Sequence, residues 1–180
     1  MGSQVPNPWV FFDIKVDDVE VGRIVFELRF DVCPKASENF RCLCKGWGKT
    51  EGGRPLHFKG TRFFRILPGC VLQGGDIVSD DGTDGCSIWN ENFADENFLL
   101  RHTGPGVLSM ANSGPDSNNS RFFISLNKNS WMDDRHVVFG YVMSGMEVVR
   151  LIEAKGTLQT GEPKARVVIS DSGEITPQVQ

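Results

Sequence analysis

The sequence has few of the features that assign a function at once. It has three histidines, His57, His102 and His136, and they lie far apart. Cys42-x-Cys44 lacks the two-residue gap common in zinc sites, and residues two apart on a helix point in different directions. Neither a metal nor a cofactor is expected. Positive charge is not in excess: 19 Lys and Arg stand against 23 Asp and Glu, a net charge of −4. That excludes nucleic-acid binding driven by overall charge. No apolar run approaches bilayer-spanning length, so no membrane span is expected. Residues Met1 to Trp9 contain no basic segment leading into an apolar stretch, and Pro6 stands where a myristoylation signal wants Ser or Thr. The cysteines number five, an odd count that does not suit a disulfide scaffold. A reducing setting, cytoplasmic or nuclear, is expected, with the sequon Asn118-Asn119-Ser120 unused.

What remains describes an ordinary globular domain. The 180 residues are 39% apolar and 23% charged, enough for one domain with a substantial core. Val10 to Val16 reads VFFDIKV, and Gly22 to Leu28 alternates Ile24, Phe26 and Leu28 with polar neighbours. Asp17-Asp18 between them supplies turn chemistry, so an N-terminal hairpin is expected. Pro34 opens a helix that runs to about Lys45, with Phe40, Leu43 and Cys44 as its apolar stripe and Gly46 as its stop. A second helix is expected from Gly145 to Lys155, with Val148, Val149, Leu151 and Ile152 facing the core. Strands are expected at Phe58 to Ile66, Val71 to Gln73, Gly106 to Met110, Phe122 to Leu126, Val137 to Val142 and Arg166 to Ser170. Many short strands and two helices, without βαβ alternation, point to a closed antiparallel barrel.

Two local motifs fail on spacing. Gly46-Trp47-Gly48-Lys49-Thr50 has the end of a phosphate-binding loop, but Leu43 occupies the place of the required glycine, and the segment follows a helix. Gly74-Gly75 beside Asp76 is too little for a dinucleotide fingerprint. No local nucleophile signature marks a Cys-His hydrolase.

One stretch carries the reading: Phe63-Phe64-Arg65-Ile66-Leu67-Pro68-Gly69-Cys70-Val71-Leu72-Gln73-Gly74-Gly75-Asp76. It resembles the signature of the cyclophilins, peptidyl-prolyl cis-trans isomerases that assist protein folding. Asp95 to Phe98, His102 to Gly106, Leu108 to Asn112, Ser120 to Phe123 and His136 to Gly140 resemble further blocks of that family, in the same order. The resemblance spans residues 9–175, leaving tails at 1–8 and 176–180. It implies a mainly β fold: a closed eight-stranded antiparallel β-barrel capped by two α-helices, acting as a monomer on proline-containing peptides and proteins, with cyclosporin A as a candidate ligand.

The same resemblance assigns roles. Arg65 is the expected proton donor to the imide nitrogen; a guanidinium stays charged at any working pH and offers several N–H groups. Gln73 and Asn112 are expected to hydrogen-bond substrate backbone, Phe123 to floor the proline pocket and His136 to edge it. Cys70, Val71 and Met132 are expected pocket walls, and Phe64, Ala111, Ser113 and Arg121 complete the substrate-contacting set. Trp131 matches the tryptophan that binds cyclosporin in this family; Arg65, Gln73, Asn112, Phe123 and His136 are the other residues expected to contact that ligand.

The departures from the family pattern cluster at the site. Phe64 replaces a usual histidine, and Cys70-Val71 replaces a Phe-Met pair. Arg121 replaces a substrate-contacting glutamine, and Trp89 takes a tyrosine position. At roughly 25 cal/mol per Å2 of apolar surface, losing a ring contact lowers binding by about 1–2 kcal/mol, ten-fold or more. Two readings follow: an isomerase slowed by a loosened pocket, or a module that binds proline segments with little catalysis. The long loop Gly46 to Pro55 resembles that of the divergent-loop subgroup, in which a cysteine matching Cys44 has a cysteine partner near the C-terminus. Here that second position holds Ser172, and Cys86 stands at the subgroup's loop-anchoring glutamate. The subgroup's disulfide switch therefore lacks its partner.

Overall fold

The computed structural model describes residues 6–176; of the two expected tails, residues 1–5 and 177–180 lie outside the described residues. Strands β1 (Trp9–Val16) and β2 (Val19–Leu28) form the expected hairpin. Val16 pairs with Val19, leaving a two-residue turn in which Asp17 and Asp18 sit at φ 47° and 67°. Two consecutive left-handed residues match the twist of the flanking strands, and aspartate tolerates that conformation.

Helix α1 runs Pro34–Lys45 and ends where the Gly46 N–H donates to the Cys42 carbonyl. Its N-cap, Cys33, makes no side-chain cap. The cap comes from a distant loop instead. The Glu96 carboxylate accepts the Lys35 and Ala36 N–H groups at 2.9 and 3.1 Å, placing an anion at the positive helix end. Cys42 is buried along with Phe40, Leu43 and Cys44, so the inward stripe is broader than the spacing alone suggested.

The chain continues through β3 (Arg65–Leu67), β4 (Val71–Gly74), β5 (Val107–Met110), β6 (Phe122–Ser125), a 3-10 turn at Ser130–Met132, β7 (Val138–Ser144), α2 (Met146–Glu153) and β8 (Val167–Ile175). All eight strands join one antiparallel sheet in the order β3-β4-β6-β5-β7-β2-β1-β8. The fold is therefore mainly β with two helices, as expected, but "closed" overstates it. The end strands β3 and β8 do not pair with each other. The segment just before β3 spans the gap: Gly60 donates to Ile169, Phe63 to Val167, and Thr61 accepts from Ile169, around an Arg62–Val168 bridge.

Two further expectations are corrected. The strand expected over Phe58 to Ile66 is regular only from Arg65. Phe58 and Phe63 both turn into the core, which irregular backbone around Gly60 permits and strict alternation forbids. On α2, Val148, Val149 and Ile152 are buried, but Leu151 lies off that stripe and is 48% exposed.

The curled sheet closes around phenylalanine. Phe40 of α1 meets Phe58, Phe139 and Phe122 at ring-centroid distances of 4.9, 5.3 and 5.4 Å, in tilted or edge-on geometry. Phe12 and Phe26 extend the cluster at 5.1 Å. Such pairs add to the stabilisation from burial alone. Phe40 is 1% exposed. Phe40→Ala is expected to lower unfolding free energy by about 3–5 kcal/mol, read from the urea midpoint at unchanged m-value.

Candidate active site

Strand alternation sorts neighbouring side chains to opposite faces. Ile66, Leu72, Phe122 and Ile124 point into the core and are completely buried. Arg65, Gln73 and Phe123 therefore point outward. Their register aligns them: Arg65 pairs with Gln73, Gln73 with Phe123, and Phe123 with Ser109. Directly opposed residues on adjacent antiparallel strands sit close enough for their side chains to form one continuous strip.

The segment from Asn129 to His136 borders the strip. The His136 ring stands edge-on to Phe123, with centroids 5.2 Å apart at 89°. His136 Nδ1 lies 2.9 Å from the Met110 carbonyl oxygen. That oxygen only accepts, so Nδ1 carries the proton and Nε2 keeps its lone pair. Burial lowers the His136 pKa despite this hydrogen bond, which keeps the ring neutral near pH 7. Met132 is wholly buried, and Trp131 is 59% exposed. Asn112 Nδ2 donates to the Arg135 carbonyl at 2.9 Å, and its Oδ1 accepts from Gly114 N–H at 3.2 Å. Buried Ala111 donates its N–H to the Arg121 carbonyl.

The cationic end of the strip is open. Arg65 is exposed, and among the described residues no hydrogen bond or ion pair engages its guanidinium. Gln73 is half-buried and its amide is likewise unengaged among them. Cys70 is half-buried, whereas Val71 is 3% exposed. Burial raises the Cys70 thiol above its usual value, offset only in part by the Arg65 charge, so the thiol stays neutral at pH 7.

Phe64 and Arg121 are both engaged with the loop that follows β4. The Arg121 guanidinium donates to the Gly82 carbonyl at 3.0 Å, to Ser113 Oγ at 3.1 Å and weakly to Asn119 Oδ1 at 3.4 Å. The Phe64 ring lies against Gly82, where an added Cβ would come within 2.5 Å of it. Both residues contact Gly82, and Ser113 accepts from the same guanidinium. The loop is organised from within by Asp76, which is fully buried and accepts N–H groups from Val78, Ser79, Gly82 and Asp84 at 2.9 to 3.1 Å. Burial alone would raise the Asp76 pKa; these bonds outweigh it and hold the carboxyl below its usual value. Neither the loop-organising role of Asp76 nor the contact of Asn119 with Arg121 was expected from the sequence. The signal for Asp76 is the run of Asp and Gly behind it, the residue types of tight turns.

His102 and Asp133 fasten the border segment to the barrel. Asp133 Oδ1 accepts the His102 backbone N–H at 2.7 Å and the ring Nδ1–H at 2.9 Å. His102 is 1% exposed, and its Nε2 has no partner among the described residues. Burial lowers its pKa, only partly offset by Asp133.

The five cysteines are free thiols. Burial pushes Cys33 and Cys42 up to about 11 and Cys44 well above its usual value. Ser172 does lie beside Cys44, donating its hydroxyl to the Cys44 carbonyl at 2.7 Å. Among the described residues no helix is long and apolar enough to cross a membrane, and no group of His, Cys, Asp or Glu is gathered as a metal site. A charged cavity of about 560 Å3, lined by Asp17, Arg62, Asp80 and residues 163–166, shares no residue with the strip.

Among the described residues, an eight-stranded curled antiparallel sheet with two helices presents Arg65, Gln73 and Phe123 in one outward row, which defines the structural class. Residues 11–174 match the family described as cyclophilin type peptidyl-prolyl cis-trans isomerase/CLD, and the chain belongs to that family. It is 51% identical over 167 residues to the peptidyl-prolyl cis-trans isomerase CYP21-1 of Arabidopsis thaliana, covering 92% of this chain and 75% of that protein. The chain is thus an isomerase of the cyclophilin type, with proline-containing peptides as its substrate class.

The two lowered histidines make stability depend on pH. Unfolded histidine titrates near pH 6.5, and both folded values lie below it. The unfolded state therefore takes up protons first. The contribution is fully present above about pH 6.5 and is lost as pH falls through the folded values. The urea midpoint is expected to fall between pH 7.5 and pH 5. His102→Gln, which retains a donor for Asp133, is expected to flatten that fall; an unchanged pH dependence would contradict the assignment.

Proposed function

We propose that the outer strip is where the chain rotates X-Pro bonds, with Arg65 as donor to the imide nitrogen and a rate lowered by the small walls Cys70 and Val71. The barrier of about 18–20 kcal/mol comes from amide resonance. In the twisted state the nitrogen regains its lone pair and can accept a hydrogen bond; in the planar ground state it cannot. A donor that bonds only the twisted state lowers the barrier without tightening ground-state binding. A hydrogen bond to a charged group contributes about 1.5–3 kcal/mol, a rate factor of about ten to a hundred or more.

The observation that carries this reading is the Arg65 guanidinium, unpaired among the described residues and in register with Gln73 and Phe123. In the proposed complex the proline ring rests on Phe123 beside His136, Met132 and Ala111. Gln73 and Asn112 hold the flanking chain, and Trp131 presents its indole N–H at the rim, where cyclosporin would also meet it. Arg121 and Phe64 act by keeping the 76–85 loop closed at Gly82, with Ser113 as the second anchor. Local setting and partners beyond proline segments remain as expected from sequence: a cytoplasmic or nuclear monomer.

The test is cis/trans exchange of a short Xaa-Pro peptide, followed by NMR. Arg65→Ala is expected to lose about ten- to a hundred-fold or more in kcat/KM while keeping the thermal midpoint. Wild-type turnover by that variant would remove Arg65 from its role. Cys70→Phe combined with Val71→Met is expected to raise kcat/KM about ten-fold by restoring buried apolar area. No gain from the pair would refute the slowed-pocket reading. Peptide shift changes without accelerated exchange in the wild type would identify a proline-segment binder with little catalysis.

A further inference from the structure

The geometry points to Gly161 as the residue that positions the Arg65 side chain, a role that rests on the reading of Arg65 as donor. A long arginine side chain is free to adopt many rotamers, and fixing it in one is entropically unfavourable. Arg65 has no hydrogen-bond or ion-pair partner among the described residues to hold it. What it has is a surface to lie on. A Cβ built at Gly161 would come 2.8 Å from Arg65 Cγ and 3.1 Å from Nε. The arginine stem therefore runs across the bare Cα of Gly161, in space that any side chain would occupy.

The seat is firmly built. Gly161 is buried, at φ +72°. Its carbonyl accepts the Ile66 N–H at 2.8 Å, and the Ile66 carbonyl accepts the Thr157 N–H at 3.3 Å, so the 157–161 loop is tied to the free edge of β3 on both sides of Ile66. The Gly161 N–H donates to Thr157 at 2.9 Å, and the Thr157 hydroxyl donates to the Glu162 carbonyl at 2.7 Å. Loop and strand are thus tied together, with Arg65 one residue before the tie. The three atoms nearest a Cβ at Gly161 all belong to the arginine stem, at 2.8, 3.1 and 3.5 Å, so no backbone atom is closer than these. The chain can relieve the clash by swinging Arg65 aside, leaving the fold intact and the guanidinium misplaced.

Glycine at this position also has the left-handed φ, so strain must be separated from the clash. Gly60 provides the control: its φ is +91°, and nothing lies within 4 Å of its Cβ position. Gly60→Ala carries comparable backbone strain without touching Arg65. Gly161→Asn supplies a Cβ with a residue that tolerates the left-handed region.

Peptide exchange by NMR on wild type, Gly161→Ala, Gly161→Asn, Gly60→Ala, Arg65→Ala and the Arg65/Gly161 double variant tests the role. Both Gly161 variants are expected to lose about ten- to a hundred-fold in kcat, the penalty of roughly 1 Å of misplacement. Their KM should change little, and the Arg65 Nε–H resonance should shift. Gly60→Ala is expected to turn over as wild type with that resonance unmoved. In the Arg65→Ala background, adding Gly161→Ala is expected to change the residual rate by less than about two-fold, since the two act through one group. Inactive Arg65→Ala beside fully active Gly161 variants, or an unmoved Nε–H resonance, would overturn the positioning role and leave the donor reading standing. Wild-type activity of Arg65→Ala would overturn the donor reading itself.

Discussion

The outward row of Arg65, Gln73 and Phe123 exists because the inward face of the same strands is filled. Phe122 cannot leave the aromatic cluster it shares with Phe12, Phe40, Phe58 and Phe63. Its neighbour Phe123 must then point to the outside, and the pairing of β3, β4, β6 and β5 carries that choice across four strands. A slip of one residue between β3 and β4 or between β4 and β6 would send Arg65 or Gln73 into the core, where an unpaired charge or amide is strongly unfavourable. The core therefore sets the register, and the register composes the site.

The surroundings of the strip are held by polar contacts between segments distant in sequence. Asp76 gathers the N–H groups of its own loop, and Arg121 fixes the tip of that loop at Gly82 to Ser113. Asp133 fastens the border segment through both the backbone and the ring of His102. These contacts tie down the edges, while among the described residues the side chains of Arg65 and Gln73 have no hydrogen-bond partner. That division suits a reaction in which no covalent bond is made or broken. The enzyme must restrain the chain on either side of one torsion and keep a donor available for the nitrogen at the midpoint of the turn.

The departures at Phe64 and Arg121 gain a physical meaning from this arrangement. Phe64 contributes a flat ring against a glycine, and Arg121 a fork that bonds a carbonyl and a hydroxyl at once. Both contacts lie within the protein, at the tip of the loop that follows β4. Cys70 is half-buried and Val71 buried, and Val71, two residues before Gln73 on β4, lies on the same side of the sheet as Gln73. The floor, Phe123 with His136 edge-on to it, is unchanged in character by either pair.

Much of the fold is local and could be read from the sequence alone. The hairpin follows from alternation on either side of Asp17-Asp18, and α1 from Pro34, Gly46 and the three-and-four spacing of Phe40, Leu43 and Cys44. The signature around Arg65 and the ordered blocks after it identified the family and the residues of the strip. Other features depend on partners far along the chain and left no local trace. Phe58 to Phe64 has strand-like composition, yet it bends because Phe58 and Phe63 must both enter one aromatic core and because β8 pairs with it irregularly. Arg121 carries no mark in the sequence that its fork meets Gly82, 39 residues away. Leu151 belongs to an apolar run but faces out, since only the docking of α2 decides which side is covered. Periodicity and turn chemistry act over a few residues and are written in the sequence. Hydrogen-bond partners, barrel closure and the seat beneath Arg65 act across the folded chain, and only the tertiary structure decided them.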